Sequence, residues 1–88
     1  MDEKLRKLRS ESKLLSPKII IGKNGVTAHT FTLISAALKR ERLIKIKVLK
    51  TFLDESGTDR KALARELAER TGSVLVDQVG FMIVLTKK

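Results

Sequence analysis

The chain has 88 residues, room for one domain, and its 42% hydrophobic and 33% charged residues suit a folded domain rather than a disordered one. It has no cysteine and a single histidine, which excludes disulfides, thiolate metal sites and thiol nucleophiles. The net charge is +9 and unevenly placed: residues 1–50 hold thirteen Lys and Arg against four Asp and Glu, whereas residues 51–88 hold six of each. A cationic half raises the local potential and recruits polyanions, so nucleic acid comes first among partner classes, ahead of a purely solubilising surface. The first thirteen residues are charged throughout and do not read as a secretory signal, and no apolar run approaches the ~20 residues of a membrane span. The expected location is the cytoplasm, with no membrane partner.

In chain order, residues 3–15 read as a helix, with Leu5, Leu8, Ser12 and Leu15 on one narrow stripe and basic residues around it. Ser16-Pro17 should end it, because a residue before proline is pushed out of the helical region. Lys18 to Ile21 reads as a strand; three consecutive isoleucines, apolar on both faces, suggest a central one. Gly22-Lys23-Asn24-Gly25 is a tight loop. Val26 to Arg40 follows as a helix, with Thr27 as its N-cap and Phe31, Ile34 and Leu38 inward.

Leu43 to Leu49 alternates, with Ile44, Ile46 and Val48 facing one way and Lys45 and Lys47 the other, as in a half-buried strand with a wet, basic face. Lys50 to Gly57 reads as a loop and Thr58 to Arg70 as a helix stopped by Gly72, with Glu66 and Arg70 spaced to pair. Ser73 to Val79 and Phe81 to Thr86 read as an antiparallel hairpin turning at Gly80. The expected order is α-β-α-β-α-β-β: an α/β domain with a mixed four-stranded sheet, parallel where helices cross over and antiparallel at the last hairpin. It spans residues 1–88 as a single domain.

The loop carries the chemistry. Glycines on either side of Lys23 and Asn24 permit a sharp turn and the close approach of another backbone. The loop runs into a helix start, so its amides and the helix N-terminus can face an anion together, with Lys23 adding charge and Asn24 polar contacts. That makes a phosphate cradle of the G-x-x-G type. The motif alone is more often a plain strand-to-helix turn; its place in the basic half of the chain puts the phosphate reading level with that one. It is neither a Walker loop, because Val26 and Thr27 follow the second glycine, nor a dinucleotide fingerprint, because the third glycine is missing.

The strand lysines, Lys45 and Lys47, flanked by Lys39, Arg40, Arg42 and Lys50, form either a solvated outer face or a basic platform joined to the loop. His29 reads as a surface residue, and one histidine without cysteine makes no metal site. No nucleophile, base and orienting group assemble into a catalytic set, so no enzyme activity and no cofactor are expected. Aromatic residues are 3% of the chain; Phe31 and Phe81 fall in apolar patterns and read as core, while Phe52 falls in a loop. With little stacking available, backbone and shape should carry the binding.

Four stretches together resemble the CRM domain, named for chloroplast RNA splicing and ribosome maturation. They are Leu15-Ser-Pro-Lys-Ile-Ile-Ile-Gly-Lys-Asn-Gly-Val-Thr, Leu43-Ile-Lys-Ile-Lys-Val, Arg70-Thr-Gly, and Val79-Gly with the strand after it. The resemblance runs from about Leu5 to Thr86. It implies a fold similar to the C-terminal domain of translation initiation factor three with an added N-terminal helix. It also implies RNA binding, in single-domain members directed to large-subunit ribosome precursors and in multi-copy plant members to intron splicing. With no flanking domain, the ribosomal role is expected, with ribosomal RNA or pre-ribosomal particles as partner and the chain a monomer. The candidate RNA contacts are Gly22, Lys23, Asn24, Gly25 and Thr27, with Lys18, Lys45 and Lys47. Leu33 departs from the family pattern, being apolar where a surface residue is usual. The competing reading is a protein-interaction module whose basic surface solubilises the chain or docks an acidic partner.

Overall fold

The β-branched run Ile19–Ile21 (β1) pairs in parallel with Leu43–Val48 (β2), Ile21 opposite Val48, in the computed structural model, which describes residues 3–88. Met1 and Asp2 of the expected 1–88 domain lie outside the described residues. Between these strands runs a helix, Ala28–Arg40 (α2), the crossover that a parallel pair requires. The hairpin forms as expected: Ser73–Val79 (β3) and Met82–Lys87 (β4) are antiparallel and turn at Gly80, whose φ of 58° belongs to the left-handed region. The strand order is β1-β2-β4-β3. The returning strand β4 inserts between β2 and β3, so β3 runs parallel to β2 without touching it.

The sheet is therefore mixed and four-stranded, but β1 is an edge strand, not a central one. Its middle residue, Ile20, is 62% exposed, while Ile21 is buried. Three isoleucines in a row reflect β-branched propensity rather than burial on both faces.

Alternation places Ile44, Ile46 and Val48 of β2 with Ile83 and Leu85 of β4 on one face. Onto it pack α2, through Ile34 and Leu38, and Arg60–Thr71 (α4), through Leu63, Ala64, Leu67 and Ala68. The other face carries Glu3–Ser12 (α1), whose Leu8 packs with Val76 and Val84. A register shift between Leu75 and Asp77 lets Val76 reach that cluster while Asp77 meets Arg9, 3.6 Å away. The α1 helix ends at Ser12, earlier than the proline requires, and Leu15 is exposed.

Lys50–Ser56 (α3) corrects the expected loop; the order is α-β-α-β-α-α-β-β. Two turns are too short to show a helical period, yet Gly57, at φ 68°, closes the helix as a left-handed C-cap. The α4 helix starts at Arg60, where Asp59 accepts from the Ala62 amide. Phe81 is not core: it is 39% exposed, and the Arg60 guanidinium lies 5.3 Å from its ring centroid. Arg70, expected to pair with Glu66, places its guanidinium over Phe31, 5.2 Å from the ring centroid. Among the described residues no helix is long and apolar enough to cross a membrane.

Candidate nucleic-acid interface

Strand β1 delivers the chain to Gly22 at the sheet edge where β2 also ends, because parallel strands finish on the same side. The Gly25 amide donates to the Gly22 carbonyl at 2.8 Å and closes a tight turn. Lys23 and Asn24 stand exposed at its tip. The two glycines lie against what is beneath, Gly25 far more tightly than Gly22. A Cβ on Gly22 would come 3.2 Å from Leu49 Cδ1. One on Gly25 would come 2.6 Å from Phe52 Cε1, and Gly25 also has φ +68°. The loop thus rests on the β2–α3 junction, which is tied to β1 by the Leu49 amide donating to the Ile21 carbonyl at 2.9 Å.

Thr27 is the N-cap of α2, as the sequence indicates, and it forms a full capping box. Its hydroxyl accepts from the Thr30 amide at 3.4 Å, and its own amide donates to Thr30 Oγ1 at 3.1 Å. The box fixes how the chain passes from loop to helix. It leaves the first-turn amides of Ala28 and His29 without an intrahelical acceptor, which is the ordinary state of a helix N-terminus. His29 is exposed.

The strand lysines divide. Lys47 is exposed, pairs in register with Ile20, and lies at the loop's end of the sheet, as does Lys50 at the start of α3. Lys23, Lys47 and Lys50 enter none of the ion pairs among the described residues. Lys45 lies one pleat further from the loop, under the end of α1. Its Nζ donates to the carbonyls of Ser12, at 3.2 Å, and Leu15, at 3.4 Å. The expected wet face of β2 is therefore wet only at Lys47. Lys18 also sits away from the loop, its amide on the Lys45 carbonyl and its ammonium 3.4 Å from Glu41 Oε1.

The structure thus brings together Gly22, Lys23, Asn24, Gly25 and Thr27; Lys47 lies at the same end of the sheet but on the face that carries α1, and Lys18 and Lys45 are set apart, engaged within the protein. Sequence reasoning missed the seat of the loop. Phe52, expected in an open loop, is half-buried on α3 beneath Gly25. The signal that marks α3 was Gly57, seven residues after Lys50, as a helix stop.

A glycine-bracketed basic turn at the strand ends of a mixed α/β sheet, with a helix on the outer face, defines a small class of basic α/β domains. The chain belongs to the CRS1 / YhbY (CRM) domain family, whose model matches residues 1–87. It is 31% identical over 86 residues to a Pseudomonas aeruginosa protein named Probable RNA-binding protein PA4753, covering 98% of this chain and 79% of that one. It is 35% identical over 83 residues to Probable RNA-binding protein YqeI of Bacillus subtilis, covering 94% and 82%. The solution structure of the hypothetical protein SAV1595 from Staphylococcus aureus superposes with a TM-score of 0.78 at 37% identity, covering 96% of this chain and 83% of that one.

Proposed function

We propose that this chain binds RNA by its backbone, with the Gly22–Gly25 turn as phosphate cradle, and that its target is ribosomal RNA in assembling large subunits. The observation that carries the reading is the close seating of the turn. Leu49 and Phe52 lie against the two glycines, Lys23 and Asn24 are exposed at the tip, and Lys47 and Lys50 lie at the same end of the sheet. A prepared, cation-flanked turn binds phosphate with little ordering cost. Names of relatives as RNA-binding proteins support the RNA, and the family resemblance supports the ribosomal target. The role is binding rather than catalysis, by a cytoplasmic monomer.

The test uses changes at the tip, where nothing is packed. Asn24→Asp keeps size and inserts a negative charge; Lys23→Ala removes a positive one. Both should lower affinity for single-stranded RNA in filter-binding titrations, while Lys61→Ala on α4 should not. Equal affinities for all four proteins would remove the loop from the interface. Crosslinking in cells, followed by sequencing of the bound RNA, tests the ribosomal target; recovery of messenger RNA without ribosomal RNA would overturn it.

A further inference from the structure

Beside the loop, between α3 and α4, lies a cleft of about 350 Å³. It is lined by Asn24 and Gly25 of the loop, Phe31 of α2, Phe52 of α3, and Glu66 and Arg70 of α4. The two α4 residues are one turn apart and so share a face. The Arg70 guanidinium lies over the Phe31 ring, 5.2 Å from the centroid. A guanidinium that lies over one ring can take a second planar group on its other side. Glu66 enters no hydrogen bond through its carboxylate and no ion pair among the described residues. If the loop holds phosphate, a free carboxylate beside it repels the backbone and attracts hydrogen-bond donors.

We propose that this cleft takes one unpaired guanine base of the RNA strand held at the loop. The base stacks on Arg70, and its Watson–Crick edge donates to Glu66; the inference rests on the loop being the phosphate site. The choice of base follows from donor counts. Guanine presents two adjacent donors, the ring N1–H and the N2 amino group, which match the two oxygens of a carboxylate. Cytosine and adenine present one amino group beside a ring-nitrogen acceptor, and uracil one N–H between two carbonyls. Each sets a lone pair against the carboxylate. The domain would then combine sequence-blind backbone contacts at the loop with one selective position.

The experiment compares short oligouridines carrying a single central guanosine, cytidine or adenosine with plain oligouridine, by fluorescence anisotropy. Wild type should bind the guanosine oligomer about five- to tenfold more tightly than the others. Glu66→Ala should erase that ratio. Glu69→Ala makes the same charge change on the same helix outside the cleft; it should alter all four affinities alike and keep the ratio. Arg70→Lys keeps the charge but loses the plane, and should weaken the guanosine oligomer most. Folding of each variant is checked by circular dichroism. A wild type with no guanosine preference, or a preference that survives Glu66→Ala, overturns the proposal while leaving the loop reading intact. If Lys23→Ala leaves every affinity unchanged, the loop reading falls, and the base site that depends on it falls with it.

Discussion

Gly25 lies so close to the ring of Phe52 that a β-carbon there would stand 2.6 Å from Cε1. The contact joins the turn after β1 to a helix that begins twenty-five residues further along the chain, and it makes Gly25 doubly constrained. Its φ of +68° costs an L-residue roughly 1–2 kcal/mol, and the overlap with Phe52 adds to that.

Gly25→Ala is therefore expected to destabilise the domain by about 2–3 kcal/mol in urea unfolding, more than the backbone strain alone. Phe52→Leu in the same chain should recover the steric part and leave the strain. The double-mutant cycle should give a coupling of at least about 0.5 kcal/mol. Strict additivity would mean that the turn does not rest on Phe52.

Thr27→Ala removes a side chain that satisfies the Thr30 amide and faces Thr30 Oγ1. The expected loss is about 1 kcal/mol of stability, and Thr27→Ser should restore most of it. If Thr27 acts as a cap that orients the loop, the Ser variant also restores RNA affinity fully. A Ser variant that is stable but binds poorly would instead assign the threonine methyl a contact of its own.

Lys45 and Lys47 are equivalent in the sequence and opposite in the structure. Lys45→Ala deletes the donor to the Ser12 and Leu15 carbonyls and should cost about 1 kcal/mol through the end of α1. Lys47→Ala should leave stability within about 0.5 kcal/mol, as for an exposed residue without a partner, and lower RNA affinity instead. Thermal melts and binding titrations on both variants separate the two roles; identical behaviour in both assays counts against the division.

The sequence revealed most where one local rule decided the outcome. The 2-residue period of Leu43–Val48, the glycine between two apolar runs at Gly80 and the threonine ahead of α2 each act within a few residues. It misled where the outcome depended on distant chain. The isoleucines of β1 read as central because nothing local says that β4 inserts on the far side of β2. Phe81 read as core because it falls in an apolar pattern, but it sits at the hairpin turn, 39% exposed, with the Arg60 guanidinium over its ring. At the site, the loop and its cap were legible as a motif. The seat formed by Leu49 and Phe52 was not, since a two-turn helix has no period to read. Nor was the division of the lysines, which follows from where α1 ends over the sheet.

Salt dependence is the widest test of the interface, because it counts charges rather than relying on any one. Three lysines outside the described ion pairs, Lys23, Lys47 and Lys50, lie at the end of the sheet where the turn sits. With about four phosphates of single-stranded RNA engaged, log affinity should fall against log salt with a slope near −3. Removing any one of the three by substitution to alanine should reduce the slope by about 0.7, since one fewer counterion is released. Lys18→Ala should not, because its ammonium already faces Glu41 and lies away from the turn. Lys45→Ala should not either, beyond what its lost stability explains. The measurement is a filter-binding series across dilute to physiological salt on wild type and the five variants, each shown folded by circular dichroism. A slope near zero in wild type removes the phosphate reading altogether. A slope lowered as much by Lys18→Ala as by Lys23→Ala would move the interface from the turn to the whole basic half of the chain.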